Sequence, residues 1–222
     1  MLNLEQPATR IPSNEFLANS ADRVCATPAG TIYLRDRCPT AFVEQLSIDR
    51  GLHAFARRPE REYELLLNIA RSDTGELALA YTDTGVIIGQ ITLADAGSWW
   101  SEVEATREAA IEVSADWRQL GIARHLIDLV MERKELEHWI LLGMGFSWHW
   151  ETVQLGLQHM QYRALLANLF ASYGFTEYLT TEPNIRDDPA NIFLARLGRR
   201  VKPSALQQFY TCLMRSDTLP GM

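Results

Sequence analysis

One carboxylate, Glu112, interrupts a short apolar segment whose pattern predicts a β-strand over residues 109–113. It stands between Ile111 and Val113, where partial burial would raise the pKa of its carboxyl toward neutrality. A carboxylate with such a pKa can act as a general base. A strand with one solvated face would instead leave Glu112 in water. The pattern alone therefore leaves both interpretations open, a general base and a surface carboxylate.

The residues after this segment are typical of a helix start that binds phosphate. Apolar residues recur at helical spacing from Leu120 to Met131, which predicts a helix. The first N–H groups of a helix have no partner inside it and carry the positive end of its dipole, so those of residues 119–123 can donate to phosphate oxygens. Gly121 in the first turn lets a phosphate approach closely. The segment therefore indicates a cofactor that carries a pyrophosphate.

Elements on both sides place this segment within an α/β sheet. A second apolar strand, 138–142, follows the helix, so strand, helix and strand should form a right-handed parallel crossover. Other predicted elements are a strand at 31–34, helices near 41–55 and 60–71, a hairpin of 77–81 with 86–91, and helices at 188–198 and 204–215. For the helix at 188–198, Asp188 is the predicted N-cap, Pro189 the first helical residue and Gly198 the terminator.

Composition predicts one domain. The chain has 222 residues, of which 47% are hydrophobic, and no Pro/Gly/Ser-rich linker divides it. We expect a polar N-terminal extension over residues 1–27, a single domain over 28–216 and a short tail over 217–222. No apolar run has the length of a signal peptide core or a membrane span, so we expect a cytoplasmic protein without membrane contact.

Charge and cysteine usage exclude some classes of partner. A net charge of −7 and a pI near 5.3 argue against nucleic-acid binding and are compatible with a cationic amine as substrate. Cys25, Cys38 and Cys212 are odd in number and far apart, which predicts reduced thiols rather than disulfides. No histidine has an acidic, cysteine or histidine neighbour at metal-ligand spacing, so we expect no metal.

The spacing Arg118-x-x-Gly121-x-Ala123 resembles the loop of the GCN5-related N-acetyltransferases (GNATs) that grips the pyrophosphate of acetyl-CoA. The order of strand, helices, hairpin and signature strand is also similar to the GNAT order. The resemblance implies an α/β fold: a central mixed, mostly antiparallel twisted sheet with a parallel βαβ unit at the acetyl-CoA site, and helices on both faces. It assigns acetyl-CoA binding to Val113, Arg118, Gln119, Leu120, Gly121, Ile122, Ala123 and Arg124.

Several later motifs resemble the AcuA-type protein acetyltransferases of acetoin-utilisation operons, which are GNATs of about this length. The motifs are Trp148-His149-Trp150-Glu151, Tyr162-Arg163, Thr181-Glu182-Pro183-Asn184-Ile185, Pro189-Ala190-Asn191 and Ala195-Arg196-Leu197-Gly198. The likeness extends from about residue 31 to residue 215. Because AcuA proteins acetylate a lysine of acetyl-CoA synthetase and so switch it off, the resemblance implies that enzyme as the protein partner.

The resemblance also favours Glu112 as the general base. A free lysine has a pKa of about 10.4, so a base must remove its proton before the nitrogen attacks the thioester. As in other GNATs, the backbone N–H of Val113 is predicted to stabilise the oxyanion. The usual GNAT tyrosine, which protonates the CoA thiolate, is replaced by Phe170, and Tyr173 should face another side of the helix. Protonation by His149 or by water therefore stays open.

Two other functions fit the same residues. The first keeps the GNAT fold but gives it a small amine acceptor, such as a polyamine or an aminoglycoside. The second is a regulatory module that binds CoA without turnover, which the missing tyrosine would suit. A deep acidic pocket would favour the small amine, and an open groove would favour a protein.

Overall fold

Nine strands form one mixed sheet within residues 22–215, the part of the chain that the computed structural model describes. The strands are β1 Arg23–Thr27, β2 Gly30–Arg35, β3 Ser47–Ile48, β4 Glu76–Thr82, β5 Val86–Ala94, β6 Thr106–Val113, β7 Ile140–Gly145, β8 Thr176–Glu177 and β9 Ile192–Leu197. Their order across the sheet is β1-β2-β4-β5-β6-β7-β9-β8, with β3 beside β5. Among these described pairs, β6–β7 and β3–β5 are parallel and the others are antiparallel.

Helices cover both faces of this sheet. They are α1 Thr40–Val43, α2 Pro59–Arg71, α3 Ile122–Met131, α4 Thr152–Leu155, α5 His159–Ala171, α6 Pro183–Arg186 and α7 Pro203–Leu213. On one face, Leu126 of α3 and Phe170 of α5 belong to a single apolar cluster. On the other face, Leu66 of α2 and Phe209 of α7 lie in two further clusters. The sheet is therefore buried on both sides along its centre.

Side-chain alternation explains how two cores form on one sheet. In β4, Ala78 and Ala80 pack toward α3, while Leu77 and Leu79 pack toward α1 and α2. Successive side chains of a strand point to opposite faces, so a continuous apolar run fills both cores. The mixed, mostly antiparallel sheet, its parallel β6–α3–β7 unit and the helices on both faces agree with the predicted architecture.

The helix predicted near 41–55 is wrong beyond its first turn. Only Thr40–Val43 is helical, and Ser47–Ile48 then pairs in parallel with β5. Asp49 next closes a turn, because its Oδ1 accepts a hydrogen bond of 2.9 Å from the N–H of Gly51. Strand pairing and this turn outcompete the helical periodicity.

The helix predicted at 188–198 is also wrong, because Ile192–Leu197 forms strand β9. Asp188 does cap a local turn, and its Oδ1 accepts 2.8 Å from the N–H of Ala190. The chain then alternates between faces, with Leu194 packed toward α3 and α5 and Phe193 packed toward α7. Pairing with β7 and burial on both faces override the capping pattern.

The predicted polar extension over residues 1–27 ends in strand β1. It pairs antiparallel with β2, and Cys25 packs against the α3 core while Val24 is exposed. The sheet therefore starts before residue 28. The remainder of that extension, residues 1–21, and the predicted tail at 217–222 lie outside the described residues.

Candidate active site

Strands β6 and β7 part halfway along their length and leave a cleft between them. Only Thr106–Glu108 of β6 pairs with Ile140–Leu142 of β7. Beyond these residues β6 continues to Val113 and β7 to Gly145 without pairing to each other. The separated ends of both strands, together with α3 and α5, line a cavity of about 1090 Å³. The opening therefore reaches the helix start and Glu112, the two features that the sequence singled out.

Backbone groups of β6 face this cleft. The N–H of Ser114 donates to the carbonyl of Ile88 in β5 at 2.9 Å. Because alternate residues of a strand direct their backbone groups to the same side, the groups of Ile111 and Val113 point away from β5 and toward the cleft. The N–H of Val113 is therefore free of β5 and able to bind a negatively charged oxygen.

The start of α3 presents unpaired backbone donors beside the cleft. Gly121 is its N-cap with φ 79°, and the N–H of His125 donates to the Gly121 carbonyl as the first bond of the helix. The N–H groups of residues 121–124 precede that bond, so they have no partner inside the helix. Gln119 also has a positive φ of 63°, so the chain turns sharply into the helix.

Seven of the eight predicted cofactor residues line the cleft, and the eighth, Leu120, does not. The lining residues are Val113, Arg118, Gln119, Gly121, Ile122, Ala123 and Arg124. Leu120 is half-buried and packs against the α3 core instead. The predicted loop is thus one continuous wall of the cleft, with Leu120 anchoring it from behind.

The side chain of Arg118 does not point outward from the loop. Its Nε donates to the carbonyl of Val113 at 3.1 Å, and its Nη2 forms an ion pair with Oε2 of Glu151. The other carboxyl oxygen of Glu151 lies 3.2 Å from Nε2 of His53. Arg118 and Glu151 therefore connect the helix start with the end of β6 and with His53, whose N–H binds Glu112. No local pattern predicts this contact.

Glu112 is buried, with 5% of its surface exposed. Its Oε1 accepts hydrogen bonds of 2.8 Å from the N–H groups of His53 and Ala54, while its Oε2 has no partner. Burial first, and then the like charge of Glu62, raise the pKa of this carboxyl from 4.5 to about 7. Of the two interpretations left open by the sequence, the surface carboxylate is excluded.

His149 lies in the same cleft within an aromatic wall. Its ring makes edge-on contacts with Phe55, Phe146 and Trp148, at centroid distances of 5.8 to 5.9 Å. Burial and the charge of Arg57 lower the pKa of its imidazole, so the ring is neutral at pH 7. The predicted candidate is therefore in place, but as a neutral aromatic side chain.

Comparisons with known proteins agree with this geometry. A family model described as the acetyltransferase (GNAT) family matches residues 34–140. The acetoin utilization protein AcuA of Bacillus subtilis (strain 168) is 29% identical over 188 residues, which cover 82% of this chain and 89% of that protein. The AcuA of Bacillus licheniformis is 27% identical over 189 residues, with the same coverage of both chains.

A solved structure extends this likeness to the fold. The crystal structure of an acetoin utilization protein from Exiguobacterium sibiricum 255-15 superposes with a TM-score of 0.82 at 29% identity, and the match covers 87% of this chain and 93% of that one. The chain therefore has the GNAT fold. It is an acetyl-CoA-dependent N-acetyltransferase that resembles AcuA.

Phe170 departs from the usual GNAT pattern, and the same helix places a tyrosine, Tyr162, in the cleft. Phe170, which stands where a GNAT tyrosine is expected, is 6% exposed and packs edge-on against Phe175. Two turns earlier in α5, Tyr162 lines the cleft with its ring stacked on Trp150 at 5.1 Å. Burial raises the pKa of Tyr162, and the charge of Arg118 lowers it. In the sequence, Tyr162 stands out only within the Tyr162-Arg163 motif, and no local pattern assigns it a role.

Tyr173 lies in the turn just beyond α5 and has a structural role. Its hydroxyl donates to Oδ1 of Asp128 at 2.8 Å and so joins the end of α5 to α3 of this GNAT. Burial and Asp128 raise the pKa of the phenol to about 12. Tyr173 is absent from the cleft lining, and its proton is already committed to a carboxylate.

Other sequence predictions concern what the chain lacks. Cys25, Cys38 and Cys212 are free thiols, as predicted. Within residues 22–215, no group of three or more His, Cys, Asp or Glu side chains is arranged to hold a metal ion. No helix in that same stretch is long and apolar enough to cross a membrane. The absence of a metal stays a prediction.

Proposed function

We propose that this GNAT transfers an acetyl group from acetyl-CoA to a lysine ε-amine of a protein, with Glu112 as the general base and acetyl-CoA synthetase as the acceptor. The observation that carries the proposal is the Glu112 carboxyl. It is buried beside the cleft, leaves Oε2 unpaired and has a pKa of about 7. A base with a pKa near the working pH is half ionised and still accepts a proton well.

Acetyl-CoA would lie against the start of α3. The unpaired N–H groups of residues 121–124 suit a pyrophosphate, and Arg124, exposed on the same wall, adds a positive charge. Gly121 has no side chain between these donors and the ligand. The free N–H of Val113 at the end of β6 would stabilise negative charge on the thioester oxygen during attack.

The acceptor amine would enter from the side of Glu112 and the aromatic wall. Trp148 at the outer end of that wall is 49% exposed, so the wall continues from the cleft to the protein surface. Such a path suits a lysine side chain carried by another protein, whose methylene groups can pack against the rings. The likeness to AcuA, which covers 82% of this chain, supports acetyl-CoA synthetase as that protein.

The proton movements follow from these positions. Glu112 takes a proton from the lysine ammonium, and the neutral nitrogen attacks the thioester carbonyl. When the carbon–sulfur bond breaks, the leaving thiolate takes up one proton. The nitrogen, which still carries two hydrogens, releases its second proton as the amide forms, and that proton restores the acid that protonated the thiolate. Tyr162 can supply the proton to the thiolate from the cleft wall, whereas the His149 imidazole is neutral at pH 7 and its lowered pKa leaves little of the protonated form.

The test combines the purified chain with acetyl-CoA and the acetyl-CoA synthetase of the same organism. We expect the intact mass of the synthetase to rise by one acetyl group as its activity falls. Binding of acetyl-CoA without any modification would contradict the protein acceptor and favour a small amine or a module without turnover. The cytoplasmic location predicted from the sequence belongs to the same proposal.

Glu112→Gln tests the base in the same assay. General bases contribute about 10²–10⁴-fold to rate, so we expect the variant to lose that much in kcat with acetyl-CoA affinity unchanged. Glu108→Gln is the matched control, because Glu108 lies four residues earlier on β6 and is absent from the cleft lining. An equal loss of kcat in both variants would mean that any change in β6 lowers activity, and it would count against Glu112 as the base.

A further inference from the structure

We propose that Glu62 is a positioning residue for the base, and that Glu62 and Glu112 form one carboxyl pair which binds a single proton across the loop at residues 53–56. The inference rests on the proposed role of Glu112. It adds a residue from α2 that the sequence analysis did not single out.

The loop at residues 53–56 is held between these two carboxyls. Oε1 of Glu112 accepts from the N–H groups of His53 and Ala54, and Oε2 of Glu62 accepts from the N–H of Ala56, each at 2.8 Å. Three backbone donors within four residues are thus satisfied by two acids, one from β6 and one from α2. The loop fixes the position of both carboxyls.

Each carboxyl keeps one buried oxygen without a partner. Oε2 of Glu112 and Oε1 of Glu62 are both unpaired, while the two residues are only 5% and 0% exposed. A buried acceptor without a partner is costly, and a buried charge is more so. A proton bound by the pair removes one of the two buried charges.

The surrounding groups favour protonation of the pair near neutral pH. Burial is the main cause that raises the pKa of both carboxyls, and Glu62 is the largest charged influence on Glu112. The ionisable groups that act on the pair are His53, which lowers the pKa of Glu62, and Glu151, which raises the pKa of Glu112. The charge of Glu151 is itself compensated by Arg118.

This arrangement gives Glu62 a definite part in the reaction. Once the pair has lost its proton, the negative charge of Glu62 makes Glu112 a stronger base for the lysine proton. That proton then resides on the pair until solvent removes it, so neither glutamate is consumed. Because the charge of Glu62 acts on Glu112, we expect the two acids to titrate as a unit with two steps, rather than independently.

The test is the pH dependence of kcat/KM for Glu62→Gln. A glutamine oxygen can still accept from the N–H of Ala56, but the negative charge is gone, so the pKa of Glu112 should fall. We expect the acidic limb of the profile to move to lower pH by about one unit, which is a tenfold change in proton affinity. Glu64→Gln, on the exposed side of the same helix, should reproduce the wild-type profile.

Two outcomes separate this inference from the proposed function. An acidic limb that stays in place in Glu62→Gln, whatever the loss of rate, would show that Glu62 only anchors the loop and would overturn the pair. A Glu112→Gln variant that retains full turnover would instead overturn Glu112 as base.

A second measurement covers the case in which Glu62→Gln does not fold. Carbon-13 NMR of the glutamate carboxyls in the wild-type protein should then show the Glu62 and Glu112 signals changing together in two shared steps. A single independent step for Glu112 would overturn the inference.

Discussion

The two walls of the cleft are built in different ways. The wall at the start of α3 consists of backbone donors from one continuous stretch, residues 113–124. The wall that holds Glu112 depends on residues from four separate segments: Glu112 lines the cleft, and His53, Glu62 and Glu151 surround it from behind. The first depends on local chain geometry, and the second depends on the complete tertiary fold.

Cofactor binding and proton transfer therefore depend on different levels of structure. Binding of a pyrophosphate needs donors whose positions follow from a helix start, so a short stretch suffices. A base with a raised pKa needs burial and neighbouring charges, which only packing of β6 against α2 and the loop at 53–56 provides. Variants of the two walls should therefore fail in different ways.

The largest expected effect is on the stability of the carboxyl wall. Because the pKa of Glu112 is raised from 4.5 to about 7 in the folded state, the folded protein binds this proton more tightly than the unfolded chain. The stabilisation is therefore complete below pH 4.5 and is lost as the pH rises to 7, by about 3 kcal/mol. Urea unfolding at pH 5 and pH 8 measures this loss.

Glu112→Gln is the comparison for that measurement. The variant cannot ionise at this position, so its unfolding free energy should lose less between pH 5 and pH 8 than that of the wild type. At pH 8 it should be the more stable protein while being the less active one. Parallel pH dependence in the two proteins would mean that the carboxyl is not perturbed by its surroundings.

The next effect concerns the backbone wall, through Gly121→Ala. Gly121 has φ 79°, a conformation that costs a residue with a Cβ about 1–2 kcal/mol, although the added carbon would meet only His125 at 3.7 Å. Relaxation of that strain would displace the donors at the start of α3. We expect a 5- to 30-fold weaker Kd for acetyl-CoA by calorimetry, with kcat at saturation retained.

Gly85→Ala is the matched control for the backbone wall. Gly85 has a similar φ of 76° in the β4–β5 hairpin, where an added carbon would meet only Leu46 at 3.5 Å. It should cost comparable folding stability without changing the affinity for acetyl-CoA. A loss of affinity in both variants would show that general destabilisation, and not the geometry of the helix start, is responsible.

The same difference explains what could be read from the sequence. The signature Arg118-x-x-Gly121-x-Ala123, the β4–β5 hairpin and the buried strand around Glu112 follow from local patterns. The partners of Glu112 do not. His53 belongs to a segment whose predicted helix was wrong, and Glu62, although it lies in a correctly predicted helix, meets the surroundings of Glu112 only through tertiary packing. Strand β9 was missed for a related reason. The capping residues that predicted a helix at 188–198 are a local pattern, whereas the pairing of β9 with β7 is not local.

The smallest expected effect belongs to Tyr162, which lies on α5 and lines the cleft. Thiols are already moderately acidic, so the leaving group needs only modest help. We expect Tyr162→Phe to lower kcat by about tenfold, below the usual range for general acids, with the Kd for acetyl-CoA unchanged. Stopped-flow turnover and calorimetry on the same sample measure both quantities.

Tyr173→Phe supplies the control for this hydroxyl, because it removes the same kind of atom from a tyrosine two residues beyond the end of the same helix. Its hydrogen bond to Asp128 joins α5 to α3 outside the cleft, so its loss should lower the free energy of unfolding by about 1 kcal/mol and leave kcat unchanged. If Tyr162→Phe turns over at the wild-type rate, water protonates the thiolate. The acyl-transfer chemistry of this GNAT would then depend on the Glu112 wall and the backbone donors alone.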